Sequence, residues 1–269
     1  ASTDLAGSVR NADEILVVVP SHAFSVVCDR IAAVRPQLRT LSWATKGFDP
    51  SSHELLSSVA ARWLPSCDMA AVSGPTFAHE VARGLPTAIT VASNNPMHAE
   101  RVASYLHGEN FRAYTSDDLI GVQVGGASKN VMAIAAGISD GLGFGANARA
   151  ALITRGLHEI TLLGLALGGR PETFMGLAGL GDLIAAVAGD ERPESRLGRA
   201  MARGTDLRAA VAEVGAHFEG VEVARHLMEH AQRHGLETPI SSTFVALSEG
   251  GMSPEGAIQA LMERRVGRE

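Results

Sequence analysis

Residues Ile15, Leu16, Val17, Val18 and Val19 follow one another without a polar interruption, and Pro20-Ser21 ends the run. A strand with one wet face alternates apolar and polar residues. An unbroken, mostly β-branched run predicts instead a strand covered on both faces, as in a parallel sheet with helices above and below. Further strand character falls at Leu38–Trp43, Met69–Ser73 and Thr87–Ala92. Helical patterns lie between, around His22–Val34, Ser52–Trp63, Thr76–Arg83 and Met97–Leu106, the third stopped by Gly84 and Pro86. Strand and helix in alternation predict an open parallel sheet. Such sheets usually begin with a strand running into a G-x-G-x-x-G turn. This sequence opens on a polar segment, Ala1 to Arg10, that leads into a strand of later character.

From Thr115 onward strand character stops. Thr115-Ser116-Asp117-Asp118 reads as a capping box for a long helix, and a second helix runs from about Ala146 to Leu167 until Gly168-Gly169 and Pro171 end it. Helical patterns continue at Val221–His234, Ser241–Ser248 and Ser253–Val266, the last with Ser253 as cap and Pro254 in its first turn. The expected class is α/β, with a sheet domain over residues 1–114, an all-α domain over residues 115–269 and a boundary near Tyr114.

Charge narrows the partners. A formal net charge of -6 argues against nucleic acid, whose binders concentrate Lys and Arg on one face. An anionic small substrate would need locally placed cations, for which Lys46, Lys129, Arg149, Arg155 and Arg196 are candidates. With 46% hydrophobic and 19% charged residues and no block of like charge, the chain is expected to fold throughout. The run from Leu119 to Ile138 is membrane-like in length, but Lys129 near its centre would cost ~2.5–3.5 kcal/mol in a bilayer, and a buried helix is the expectation. No secretory signal is read at the start. Cys28 and Cys67 stand in neither a CxxC nor a His-paired arrangement and are read as inert thiols of a cytosolic protein. Neither a catalytic metal nor a serine-hydrolase site is expected.

Lys129 lies in Gly125-Gly126-Ala127-Ser128-Lys129-Asn130-Val131-Met132, with apolar residues a turn away on both sides. Desolvation there favours the neutral amine and suits a lysine to acid/base work near neutrality; snorkelling to the surface is the ordinary alternative. Lys46-Gly47 closes a strand and places a cation at the carboxyl end of the sheet, where doubly wound folds bind ligands; an exposed loop lysine would look the same. Ser73-Gly74-Pro75-Thr76-Phe77-Ala78 offers free backbone N–H groups at a helix start. Gly176-Leu177-Ala178-Gly179-Leu180-Gly181-Asp182 carries one carboxylate, which by itself reads as a helix cap. Gly143-Phe144-Gly145-Ala146-Asn147-Ala148-Arg149 is similarly open.

In their order these blocks resemble the bacterial-type NAD(P)-dependent glycerol-3-phosphate dehydrogenases, from Ile15 to about Ile258. The most specific pieces are Ala44-Thr45-Lys46-Gly47, Ser73-Gly74-Pro75-Thr76-Phe77-Ala78 with Glu80, and Gly121-Val122-Gln123-Val124-Gly125-Gly126-Ala127-Ser128-Lys129-Asn130. Asp140-Gly141-Leu142-Gly143, Asn147 to Gly156 and Gly176 to Leu183 continue the match. The resemblance implies an incomplete Rossmann-like sheet domain, without the amino-terminal glycine loop, followed by a helical catalytic domain. It implies hydride transfer between NAD or NADP and C2 of glycerol 3-phosphate or dihydroxyacetone phosphate, with Lys129 as the acid/base. Substrate contacts are implied at Lys46, Gly74, Thr76, Asp182, Ser195 and Arg196. Cofactor contacts are implied at Lys46, Ala78, Arg196 and Glu219. A cytoplasmic homodimer that supplies glycerol 3-phosphate for phospholipid synthesis, with no nucleic-acid partner and no membrane insertion, follows from the same likeness.

One segment departs from the pattern. Ten to twelve residues past Asp182 the family usually has Ser-Arg-Asn, serving substrate phosphate and cofactor; here the count reaches Arg192-Pro193-Glu194, and a Ser-Arg pair comes only at Ser195-Arg196. A proline cannot replace an arginine fork. Two other readings therefore stand beside the first: a non-catalytic or altered-substrate paralogue whose helical half is a dimerisation module, and a related hydroxy-acid dehydrogenase.

Overall fold

The computed structural model describes residues 2–189, 192–215 and 218–263, with only the backbone of Glu219. The chain forms two compact units, Ala1–Ala127 with Leu167–Asp182, and Ser128–Ala166 with Leu183–Glu269.

The first unit is built on five strands, β1 (Leu16–Val17), β2 (Thr40–Trp43), β3 (Asp68–Ser73), β4 (Thr87–Ser93) and β5 (Phe111–Ser116), ordered β1-β2-β3-β4-β5. Its helices are α1 (Leu5–Arg10), α2 (Ser21–Val34), α3 (Leu56–Trp63), α4 (Ala78–Ala82), α5 (Pro96–Leu106), the start of α6 (Leu119–Gly141) and α8 (Pro171–Phe174). One sheet face meets a core of Phe24, Ile31, Leu41, Trp43, Val59 and Met69 around α2 and α3, with Phe24 edge-on to Trp43 at 5.5 Å between centroids. Ala70, Val72, Ile89 and Val91 pack on the other face against Ala99, Val102 and Ala103 of α5. The period of two along β3 thus feeds two separate cores.

Several expectations need correction. The sheet is mixed, because β3 and β4 pair antiparallel while the other pairs are parallel. The linking helix α4 has five residues, ~7.5 Å of rise, against ~20 Å for the six residues of β3. Ser73 pairs with Thr90 and Ala70 with Ser93, so β4 runs back along β3. In the run 15–19, Ile15 and Val17 are buried, while Leu16 is 45% and Val18 66% exposed. Thr115 and Ser116 belong to β5, a strand hidden by Arg112 and Tyr114, and the cap of α6 is Asp118, whose Oδ1 accepts the Gly121 N–H at 2.8 Å. The polar opening segment folds as α1, capped by Asp4. Burial pushes the thiols of Cys28 and Cys67 up to about 12, with Cys67 a lesser cause for Cys28, and Asp68 and Glu14 lesser causes for Cys67.

The second unit is helical among its described residues: the rest of α6, α7 (Ala146–Ala166), α9 (Asp182–Ala188, apart from its first residue), α10 (Pro193–Ala202), α11 (Leu207–Val214), α12 (Glu219–Arg233), α13 (Pro239–Ser248) and α14 (Pro254–Met262). Helices α10 and α11 were not legible as patterns. Helix α6 is buried all round, and 78% of its most apolar window lies inside the protein although it is long and apolar enough to cross a membrane. Helix α10 approaches it so closely that a Cβ on Gly198 would collide with the Ile134 carbonyl oxygen, which is why glycine stands there. Glu159 of α7 holds the start of α13, accepting the N–H groups of Ile240 at 2.5 Å and Ser241 at 3.2 Å. The segment expected as a helix to Val266 ends at Met262, and residues 264–269 lie outside the described ones.

Candidate active site

The carboxyl ends of β1, β2 and β3 are tied together before any ligand is considered. Thr45 Oγ1 donates to the Val19 carbonyl at 2.8 Å and accepts its N–H at 3.3 Å, which fixes the turn that follows β2. The next residue, Lys46, sends its ammonium to Asp182 Oδ2 at 2.6 Å and to the Gly74 carbonyl at 2.9 Å. Asp182 is fully buried while the Lys46 side chain is 21% exposed, so the pair buries its negative end and offers its positive end. Asp182 is the first residue of α9 directly after a π-helical turn, Leu177–Gly181, and its carboxylate serves the ion pair that the motif alone left open with a cap.

Gly74 has φ +141, and a Cβ there would lie 3.1 Å from Ile89 Cα. Only glycine fits such a turn. Its carbonyl oxygen also accepts the half-buried Thr76 hydroxyl at 3.2 Å. Ala78 is exposed at the start of α4. The sequence-predicted residues Lys46, Gly74, Thr76 and Asp182 therefore share one small site of the first unit.

In the second unit Lys129 is only 6% exposed, inside α6. Asn130 follows it with a buried Oδ1 that has no hydrogen-bond partner. Ser195 is buried and donates its hydroxyl to the Gly189 carbonyl at 3.0 Å, while Arg196 is exposed on α10. Pro193 starts α10, where its missing N–H costs nothing. Arg192 Nε lies 3.3 Å from Glu194 Oε2, each side chain 17% exposed. The side chain of Glu219 lies outside the described residues. Among the described residues no group of three or more His, Cys, Asp or Glu could hold a metal.

The model of the NAD-dependent glycerol-3-phosphate dehydrogenase N-terminus matches residues 1–99, and that of the C-terminus matches residues 118–259. The chain belongs to the NAD-dependent glycerol-3-phosphate dehydrogenase family. A glycerol-3-phosphate dehydrogenase [NAD(P)+] of Xanthomonas oryzae pv. oryzae is 49% identical over 265 residues, which are 98% of this chain and 78% of the relative. One of Stenotrophomonas maltophilia is also 49% identical over the same span. The crystal structure of the Coxiella burnetii glycerol-3-phosphate dehydrogenase superposes with a TM-score of 0.93 at 41% identity, covering 98% of this chain and 81% of that one. The α/β sheet domain followed by helices is thus the fold of this dehydrogenase family.

Sequence reasoning missed Ser73 at this site. Ser73, the last residue of β3, is 4% exposed, and its hydroxyl has no hydrogen-bond partner. A serine ending a strand carries no periodic signal; only the neighbours brought by the fold mark it out.

Proposed function

We propose that the protein interconverts sn-glycerol 3-phosphate and dihydroxyacetone phosphate with NAD or NADP, and that Lys129 is the acid/base. The observation that carries this reading is a lysine buried to 6% exposure inside the segment matched by the dehydrogenase family. The nicotinamide supplies or takes the hydride at C2. As negative charge gathers on the C2 oxygen, the Lys129 ammonium donates a proton to it, and in the reverse direction the neutral amine takes that proton from the alcohol.

Lys46, Gly74 and Thr76 hold the substrate, and Asp182 acts on it beside the ammonium that it fixes. Ser195 and Arg196 act on the phosphate, with Arg196 the exposed cation of α10. Lys46, Ala78, Arg196 and Glu219 serve the dinucleotide. The residues fit such a group: Lys46 is partly exposed at the carboxyl end of β2, the end at which doubly wound folds bind ligands, and the small Ala78 leaves the start of α4 open. We further infer a cytoplasmic homodimer that feeds phospholipid synthesis.

The test is NADH or NADPH oxidation with dihydroxyacetone phosphate. Lys129→Ala should lose about 10²- to 10⁴-fold in kcat, the range for a general acid/base. Wild-type turnover no greater than that of the variant would sink the reading. The Arg192–Glu194 pair favours one second reading, an altered-substrate paralogue, because its carboxylate stands where the family's phosphate-serving segment falls. Turnover with a 2-keto acid and none with dihydroxyacetone phosphate would select it.

A further inference from the structure

The polar groups around Lys46 are committed, with one exception. A void of about 10 Å³ lies among Thr45, Lys46, Ser73, Gln123 and Gly126. Thr45 Oγ1 is bonded to Val19, and the Gln123 amide to Ser57 and the Leu119 carbonyl. The Lys46 ammonium is held by Asp182 and Gly74. Ser73 Oγ alone is buried with no partner. Folded proteins rarely leave a buried hydroxyl unsatisfied, and one that persists at a site calls for a ligand or a water. The space is about that of one water-sized oxygen atom. Gly126 provides it, because a Cβ there would lie 2.5 Å from Ser73 Oγ and 3.6 Å from Lys46 Cδ.

We propose that Ser73 is a substrate-binding residue whose hydroxyl takes the free hydroxyl of dihydroxyacetone phosphate or glycerol 3-phosphate. The inference rests on the dehydrogenase reading above and adds a determinant to it. A neutral group that both donates and accepts suits another hydroxyl, whereas the phosphate dianion calls for cations. Ser73 would then discriminate for a polyol phosphate over one without the free hydroxyl, since a site built to hydrogen-bond a hydroxyl rejects the analogue that lacks it.

The experiment compares wild type and Ser73→Ala on dihydroxyacetone phosphate and on hydroxyacetone phosphate, which lacks the free hydroxyl. Ser73→Ala should lower kcat/KM for the first about fivefold to tenfold, the value of one hydrogen bond, and leave the second within twofold. The KM for NADH or NADPH should stay unchanged. Without substrate the variant should melt at the same temperature as wild type or higher, because it deletes an unsatisfied buried hydroxyl. An equal loss on both substrates, a change confined to the nicotinamide KM, or intact discrimination would each overturn the assignment. No wild-type turnover with dihydroxyacetone phosphate would overturn the dehydrogenase reading and this inference together; intact discrimination in Ser73→Ala overturns this one alone.

Discussion

The Lys46–Asp182 pair can be taken apart one charge at a time. At 2.6 Å and an effective dielectric of ~20, the gross attraction is ~6 kcal/mol, much of it offset by burying the carboxylate. Removing one member of such a pair costs ~3–5 kcal/mol when the survivor stays dry. The two single variants should differ for that reason. Lys46→Met leaves a carboxylate of 0% exposure without its ammonium and should approach the upper figure. Asp182→Asn leaves an ammonium on a side chain that is 21% exposed and still bonded to the Gly74 carbonyl, so ~2–3 kcal/mol is expected. Lys46→Met with Asp182→Leu replaces the pair by apolar groups and should be milder than the sum of the singles by about 2 kcal/mol or more. Urea unfolding followed by tryptophan fluorescence reads this directly, because Trp43 and Trp63 both lie in the first unit with the pair. Additive costs within ~0.5 kcal/mol, with m unchanged, would refute the claim that the two charges stabilise one another.

Asp118 should prove costly to remove for a different reason: its buried carboxylate accepts from Gly121 N at 2.8 Å, Arg170 N at 2.8 Å and Thr173 Oγ1 at 2.6 Å, tying the segment that ends in Asp182 to the start of α6. Asp118→Ala is expected to lose ~3–5 kcal/mol in urea unfolding, and a loss below ~1 kcal/mol would contradict that accounting. His98, 1% exposed, lies 3.1 Å from Ser42 Oγ and 3.6 Å from Glu14, with Arg101 and Asp68 also facing it; burial holds its pKa below 6.5, Arg101 lowers it further, and Glu14 and Asp68 oppose the shift. The unfolded chain therefore takes up a proton as pH falls through 6.5 while the folded one does not, so wild type should lose up to ~1.4 kcal/mol per pH unit below that point relative to His98→Gln. Parallel stability curves for the two proteins would show that His98 does not carry the effect.

Local pattern was enough wherever neighbours in sequence decide a conformation. Strands β2, β3 and β4 and helices α2, α5, α7 and α13 fall within a few residues of their apolar runs, and Ser253 caps α14 as its position predicts. The family, too, was legible, because Lys129 and the glycines around it form one continuous block. The tertiary structure alone settled what depends on distant partners. Strand β5 is held by the register it shares with β4, which overrides the polar residues in its own sequence. Asp182 read as a cap until folding set it against a lysine 136 residues away, and Ser73 had no signal until packing buried its hydroxyl without a hydrogen-bond partner. Periodicity and capping are written within a few turns of chain, whereas the dielectric around a carboxylate and the bonds open to a hydroxyl are made by residues that only packing brings together.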